Sequence, residues 1–337
     1  MQILENRRRF VAGLSAAAAT FLVSAPKSLH AEEPPIETTA VRLGRWINSG
    51  YCWAPAYLAE RQLRADGFTD VQYVQGNPNV DNAEWLAHGE TDFDINMPSM
   101  HIRSIDAGVP IKVLCGLHAG CFELRANDSV GSVGDLRGKK VLVYTLNSHP
   151  HLLVQLMANY VGLDPNDIKW VEGGGSTPTD LFIDGQVDAV LLTPDEWAEL
   201  HAKKIGHTIL DNNLDRPWSQ YFCCMIAGNA DYVSKYPIAT KRILRAILTS
   251  ADICASKPEW VAQQLVERGF AMRSDQVLEW LSSVRYEVWR DFDPEDSLRF
   301  YALRMQETGM IKADPQDIIA RGTDWRFYNE LKRELKM

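Results

Sequence analysis

Thiols are the chain's most reactive side chains, and there are six of them: Cys52, Cys115, Cys121, Cys223, Cys224 and Cys254. Thiols can pair, ligate soft metals or attack as nucleophiles. No Cys-x-x-Cys spacing occurs, so neither a zinc knuckle nor a thioredoxin-like redox pair is indicated. A chain of 337 residues builds cores without disulfide staples, and buried free thiols are the expectation. Cys223 and Cys224 lie inside the apolar run Phe222 to Ile226, which again points to burial. His149 and His151 stand two apart, a spacing that sends helical side chains to different faces, so no metal site is expected from them. No Gly-x-Ser-x-Gly elbow, His-Glu-x-x-His pair or phosphate-cradling glycine loop is present, so no catalytic residue is assigned and no cofactor is expected.

Binding chemistry is better represented than catalysis. Ser49-Gly50-Tyr51-Cys52-Trp53-Ala54-Pro55 follows an expected strand, and Tyr51 and Trp53 could wall a small ligand. Asn147, Ser148 and His149 open an expected helix, offering amide, hydroxyl and free backbone N–H groups where the dipole favours negative charge. Pro98-Ser99 and Pro194-Asp195 open two further helices. An Asp195 facing a cleft would select a ligand carrying an amine or hydroxyl. Gly174, in the run Gly173 to Gly175, brings bare backbone close to a ligand. Trp218 offers a stacking face near the end of the second α/β unit.

These residues need a scaffold, and the pattern supplies one. Strands at Val41–Ile47, Val71–Val74, Phe93–Ile95 and Ile111–Leu117 alternate with helices at Ala56–Arg64, Asp81–Ala87 and Pro98–Asp106. A second alternation runs from Val141 to Ala227. Such alternation predicts an α/β fold with mostly parallel sheets flanked by helices. From Asp231 the chain reads as helices. The segments Trp85–Ser99 and Leu181–Asp195 echo each other: each places Gly, then Asp three residues later, before a buried strand and a Pro-led helix. Ligands of parallel sheets sit at the strands' carboxyl ends, so the two echoes should face one cleft.

Arg7-Arg8-Arg9-Phe10 ahead of the apolar run Val11 to Val23 predicts a twin-arginine-like export signal, cleaved after Ala31. Its loss removes four basic residues and one acidic, taking the net charge from −9 to −12. An acidic chain without a basic patch is a poor nucleic-acid or anionic-lipid binder. The expected organisation is a signal at 1–31, a first lobe at 38–125, a second lobe at 126–222, and completion of the first lobe with a helical region at 223–337.

Asp135-Leu136-Arg137-Gly138-Lys139-Lys140-Val141, the Gly185 to Asp188 turn and the export signal occur together and in order. With them the chain resembles the solute-binding proteins of nitrate, sulfonate, taurine and thiamine-precursor importers, over about residues 40 to 260. The resemblance implies a type II periplasmic binding protein with two lobes and a double-crossover hinge. It further implies a monomer in the periplasm that catches a small organic anion, such as a sulfonate or carboxylate, and presents it to an ABC permease and its ATPase. Two alternatives stay open: an enzyme related to the thiamine pyrimidine synthases, whose fungal members carry a cysteine-rich run near the second crossover, and an exported sensory receptor.

Overall fold

A computed structural model describes residues 33–45, 50–75, 82–173 and 177–335. The expected export signal and Gly174 lie outside the described residues, as does the end of the first expected strand. Alternating apolar positions set the strands. β1 (Ala40–Gly44), β2 (Asp70–Val74), β3 (Phe93–Asn96) and β4 (Ile111–His118) begin one sheet; β5 (Glu123–Ala126), β6 (Lys140–Val143), β7 (Lys169–Glu172), β8 (Ala189–Leu192) and β9 (His207–Asp211) form another. β10 (Cys224–Asn229) then returns to the first.

The two sheets have the same plan. Their orders are β2-β1-β3-β10-β4 and β7-β6-β8-β5-β9. In the first, β10 runs antiparallel to both neighbours; in the second, β5 does. Each sheet is therefore parallel except for the fourth strand, which the chain contributes on passing from one sheet to the other. The alternation predicted such mostly parallel sheets, and the two-lobed periplasmic binding protein architecture is the one the resemblance implied.

The passage into the second sheet comes earlier than the expected boundary at 125. β5 pairs throughout with β8 and β9, although Glu123 and Arg125 make it look like a polar linker. Both charges are buried because they satisfy each other: Arg125 Nη1 meets Glu123 Oε1 at 2.8 Å. His201 Nε2 and Thr208 Oγ1 each meet the Glu123 carboxylate at 2.8 Å. A buried charge is tolerated when paired and hydrogen-bonded in this way.

Helices α1 (Ala54–Leu58), α2 (Glu60–Ala65), α3 (Asn82–Ala87) and α4 (Pro98–Asp106) pack on the first sheet, and α5 (His149–Tyr160), α6 (Pro178–Ile183) and α7 (Pro194–Lys203) on the second. The remainder comprises α8 (Ala230–Lys235), α9 (Pro237–Ser256), α10 (Pro258–Glu267), α11 (Ser274–Ser283), α12 (Pro294–Glu307), α13 (Pro315–Gly322) and α14 (Arg326–Glu334). Proline opens many of these at the first turn, where its missing N–H costs nothing. The echo noticed in the sequence is real in the fold: β3 leads to α4 and β8 to α7, each with Pro at the helix start.

The segment Gly322 to Arg326 joins the first sheet. Thr323 bridges Val113 in parallel, and Asp324 N donates to the Val113 carbonyl at 3.0 Å. A Cβ on Gly322 would lie 2.2 Å from Ile105 Cδ1, so only glycine lets the tail approach this closely. The apolar core is continuous over the first sheet and the inner face of the second. A smaller cluster of Leu142, Phe182, Val190, Leu192, Trp197 and Leu200 fills the second sheet's far side.

Candidate functional site at the crossovers

The two passages between sheets meet at one place, and the residues there are soft donors. On antiparallel strands directly opposed residues share a face, and Cys224 opposes His118 across β10 and β4. Two residues beyond His118 the chain reverses at Gly120, whose φ is +74°. Cys121 is thereby folded back toward His118, with its Sγ 3.8 Å from His118 Nδ1. Cys52 enters from the other side, on the single turn after β1 that Gly50 opens in the left-handed region. The ligating atoms of Cys52, His118, Cys121 and Cys224 all lie within 4.8 Å of one another, and all four residues are buried.

Neighbouring groups fix this arrangement. Asn212 Oδ1 accepts from the backbone N–H groups of Cys121 and Phe122, each at 2.9 Å. Cys223 N donates to the His118 carbonyl at 2.8 Å. Tyr286 places its hydroxyl on the Cys52 carbonyl at 3.2 Å and its ring against His118. Phe222 lies on Gly116, where a Cβ would come within 2.2 Å of the ring.

The electrostatics follow from burial and mutual hydrogen bonding. Contacts with Cys121 and Cys224 hold the Cys52 thiol well below its ordinary value, outweighing burial. Burial alone would depress His118, yet the adjoining Cys52 raises it above the usual imidazole range. Cys115 and Cys254 stand apart from the cluster, and burial pushes both thiols up. All six cysteines are free and buried, as the sequence suggested.

Helix starts from both sheets converge beside the cluster. Ser99 Oγ, at the start of α4, and His149 Nδ1, at the start of α5, share a hydrogen bond of 2.9 Å. Burial lowers His149 to about 4, so its ring is neutral, and the ring lies 5.2 Å from Phe122. Ser148 occupies the cap position but does not cap: its hydroxyl donates to the Thr145 carbonyl at 2.5 Å. Asn147 adopts a left-handed conformation, donates its N–H to His151 Nδ1 at 2.8 Å and accepts from Arg103 Nη1 at 2.7 Å through its carbonyl. His151 turns away to Trp170, so the two histidines diverge as their spacing required.

The other candidate residues take distinct positions. Tyr51 is buried edge-on to Trp280 of α11, whose Nε1 donates to Asp195 Oδ1 at 2.6 Å. The Asp195 carboxylate is thus engaged within the protein, and it also accepts from Thr193 Oγ1 at 2.9 Å. Pro98 is buried at the first turn of α4. Trp53 is buried over Gly44, beside a small crevice lined by Phe93, Asp94, Ile95 and Ile226. Trp218 is buried edge-on to Tyr160 of α5 and Phe300 of α12.

Sequence reasoning passed over the donor cluster. Searching for Cys-x-x-Cys leaves out His118-Ala119-Gly120-Cys121, although imidazole ligates as well as thiolate does. The glycine inside that His-x-x-Cys turn was the available signal. Cys52 and Cys224 carry no local signal, because only the tertiary fold brings them to the turn.

Solved structures with the same fold include the periplasmic nitrate-binding protein NrtA from Synechocystis PCC 6803, at a TM-score of 0.74 and 14% identity over 90% of each chain. The alkanesulfonate-binding protein SsuA from Xanthomonas axonopodis pv. citri bound to MOPS aligns at a TM-score of 0.63 and 14% identity, over 84% of this chain and 96% of that one. The periplasmic aliphatic sulphonate binding protein SsuA from Escherichia coli gives 0.63 and 18%, over 83% and 92%. No curated protein matches the sequence. The family model described as NMT1/THI5 like matches residues 65–260, more than half of the chain, and the chain belongs to that family.

Proposed function

We propose that this protein is the solute-binding component of an ABC importer, exported to the periplasm, which catches a small organic anion by closing its lobes and delivers it unaltered. The observation that carries the reading is the Ser99–His149 hydrogen bond, which joins helix N-termini rising from opposite sheets. Two such termini facing each other create a concentrated set of backbone donors. No lysine or arginine belongs to that contact, so an anion such as a sulfonate or carboxylate would be held by N–H groups and dipoles. The fold neighbours described as nitrate- and sulfonate-binding proteins support an anionic ligand.

Capture without chemistry also fits the residues at the cleft. Asp195 is tied to Trp280 and Thr193, and His149 is neutral and hydrogen-bonded to a serine. Closure needs only a hinge, and the paired crossovers supply one. The test is a thermal-shift screen of the chain lacking residues 1–31 against sulfonates, carboxylates, nitrate, amino acids and pyrimidines. Selective binding to the folded state raises the melting temperature by mass action. A shift with one anion, recovered intact, is expected; conversion of a compound, or no shift with any anion, overturns the reading.

A further inference from the structure

We propose that Cys52, His118, Cys121 and Cys224 form a closed binding site for a thiophilic divalent ion of the Zn²⁺ class, fastening the first crossover to the first lobe. The geometry comes first. Four ligating atoms from three separate chain segments lie within 4.8 Å of one another, a spread that small side-chain rotations close onto a tetrahedron with bonds of about 2.0–2.3 Å. The donors are buried, between 0 and 3% exposed, which is the environment of a structural site with all four positions filled by protein.

The donor chemistry selects the ion. Three sulfurs and one imidazole, with no carboxylate among them, suit Zn²⁺ and exclude the oxygen-seeking Mg²⁺ and Ca²⁺. His118 Nε2 is buried and has no hydrogen-bond partner, although buried ring nitrogens are normally satisfied. The surroundings already hold the donors as outer-shell groups hold metal ligands: Asn212 fixes the Cys121 backbone, and Tyr286 fixes that of Cys52. Binding converts three thiols to thiolates and releases three protons, leaving Zn²⁺, three thiolates and a neutral imidazole with one net negative charge.

The position gives such an ion a mechanical role. Cys121 lies in the first crossover, between β4 and β5, whereas His118 ends β4, Cys224 opens β10 and Cys52 sits on the turn that follows β1, all three on the first sheet. One ion would therefore fasten the start of the first crossover to the end of β4, the start of β10 and the turn after β1. This assignment rests on a different observation from the solute reading and holds whichever solute the cleft takes.

The experiment uses the whole chain lacking residues 1–31, purified anaerobically with its thiols reduced. Added Zn²⁺ should be retained at one equivalent after gel filtration and should raise the melting temperature by several degrees. Co²⁺ as a spectroscopic probe should show thiolate charge-transfer bands and the intense visible bands of tetrahedral coordination. Cys224→Ser and Cys121→Ser should lose the cobalt spectrum and at least ten-fold in Zn²⁺ affinity, while Cys254→Ser keeps both. A cooperative melt of each metal-free variant shows that it has folded; if a variant does not fold, alkylation of the parent decides, since Zn²⁺ should protect three thiols. No retained zinc, a disulfide among these cysteines in the reduced preparation, or a cobalt spectrum unchanged in Cys224→Ser overturns the proposal. The solute screen is run separately on metal-free protein, so the two readings fail independently.

Discussion

Ser99 Oγ and His149 Nδ1 lie 2.9 Å apart, and this one bond joins the first turn of a helix on the first sheet to the first turn of a helix on the second. Both residues are buried. Removing one partner leaves the other unsatisfied in an apolar setting, a cost of about 1–3 kcal/mol. Ser99→Ala should therefore shift the unliganded protein toward an open form. Solution scattering should record a larger radius of gyration for the variant; an unchanged curve would mean that the bond does not contribute to closure.

Trp280 and Asp195 make a second tie, at 2.6 Å, between the C-terminal helical region and the second sheet's α7. A hydrogen bond to a charged acceptor contributes about 1.5–3 kcal/mol. Trp280→Phe retains the ring but loses the donor. Hydrogen exchange in residues 274–283 should accelerate while the strands of the first sheet keep their protection. Equal protection in parent and variant would place the tie among the negligible contacts.

Phe222 fits because position 116 has no side chain. Gly116→Ala puts a carbon 2.2 Å from the Phe222 ring, and overpacking of this kind costs about 1–3 kcal/mol. Phe222→Ala alone leaves a cavity worth about 3–5 kcal/mol. Together the two changes should cost less than their sum, since the new methyl occupies part of the void. Denaturant melts of the four proteins measure this, and strict additivity would refute the fit.

His101 ties stability to pH. Its Nε2–H donates to the Met225 carbonyl at 3.1 Å, and its Nδ1 is buried without a partner. Burial depresses the group to about 4, against the opposing effect of the Met225 hydrogen bond. A depressed imidazole gives stability that is complete above the unfolded value near 6.5 and is lost as pH falls toward 4. The loss from this residue should reach roughly 2 kcal/mol at pH 5. Melting temperatures at pH 7.5 and 5 should differ less in His101→Gln than in the parent; identical differences would remove His101 from the account.

The alternation of strands and helices was legible in the sequence because each element carries its own periodicity and its own proline or glycine boundary. The helix expected at about Pro98 to Asp106 is there, and the echo between Trp85–Ser99 and Leu181–Asp195 marked equivalent strand-to-helix turns. The first lobe was expected to run to residue 125, yet β5 (Glu123–Ala126) already pairs with the second sheet, and nothing local in Glu123 and Arg125 signals a buried strand. Their burial depends on each other, and on His201 and Thr208, which stand more than seventy residues away.

The candidate binding residues divide along the same line. Helix starts at 98, 149 and 194 followed from local chemistry, so the sequence alone placed Ser99 and His149 where helix dipoles end. That these two would touch, and that Asp195 would accept from Trp280, was decided by the packing of the lobes and the C-terminal helices. Cys52, His118, Cys121 and Cys224 are the extreme case. A single His-x-x-Cys turn was written in the sequence, and the other two donors arrive from 66 residues before His118 and 103 residues after Cys121. Sequence order constrains neighbours within a turn, whereas contacts over such separations exist only once both crossovers have closed.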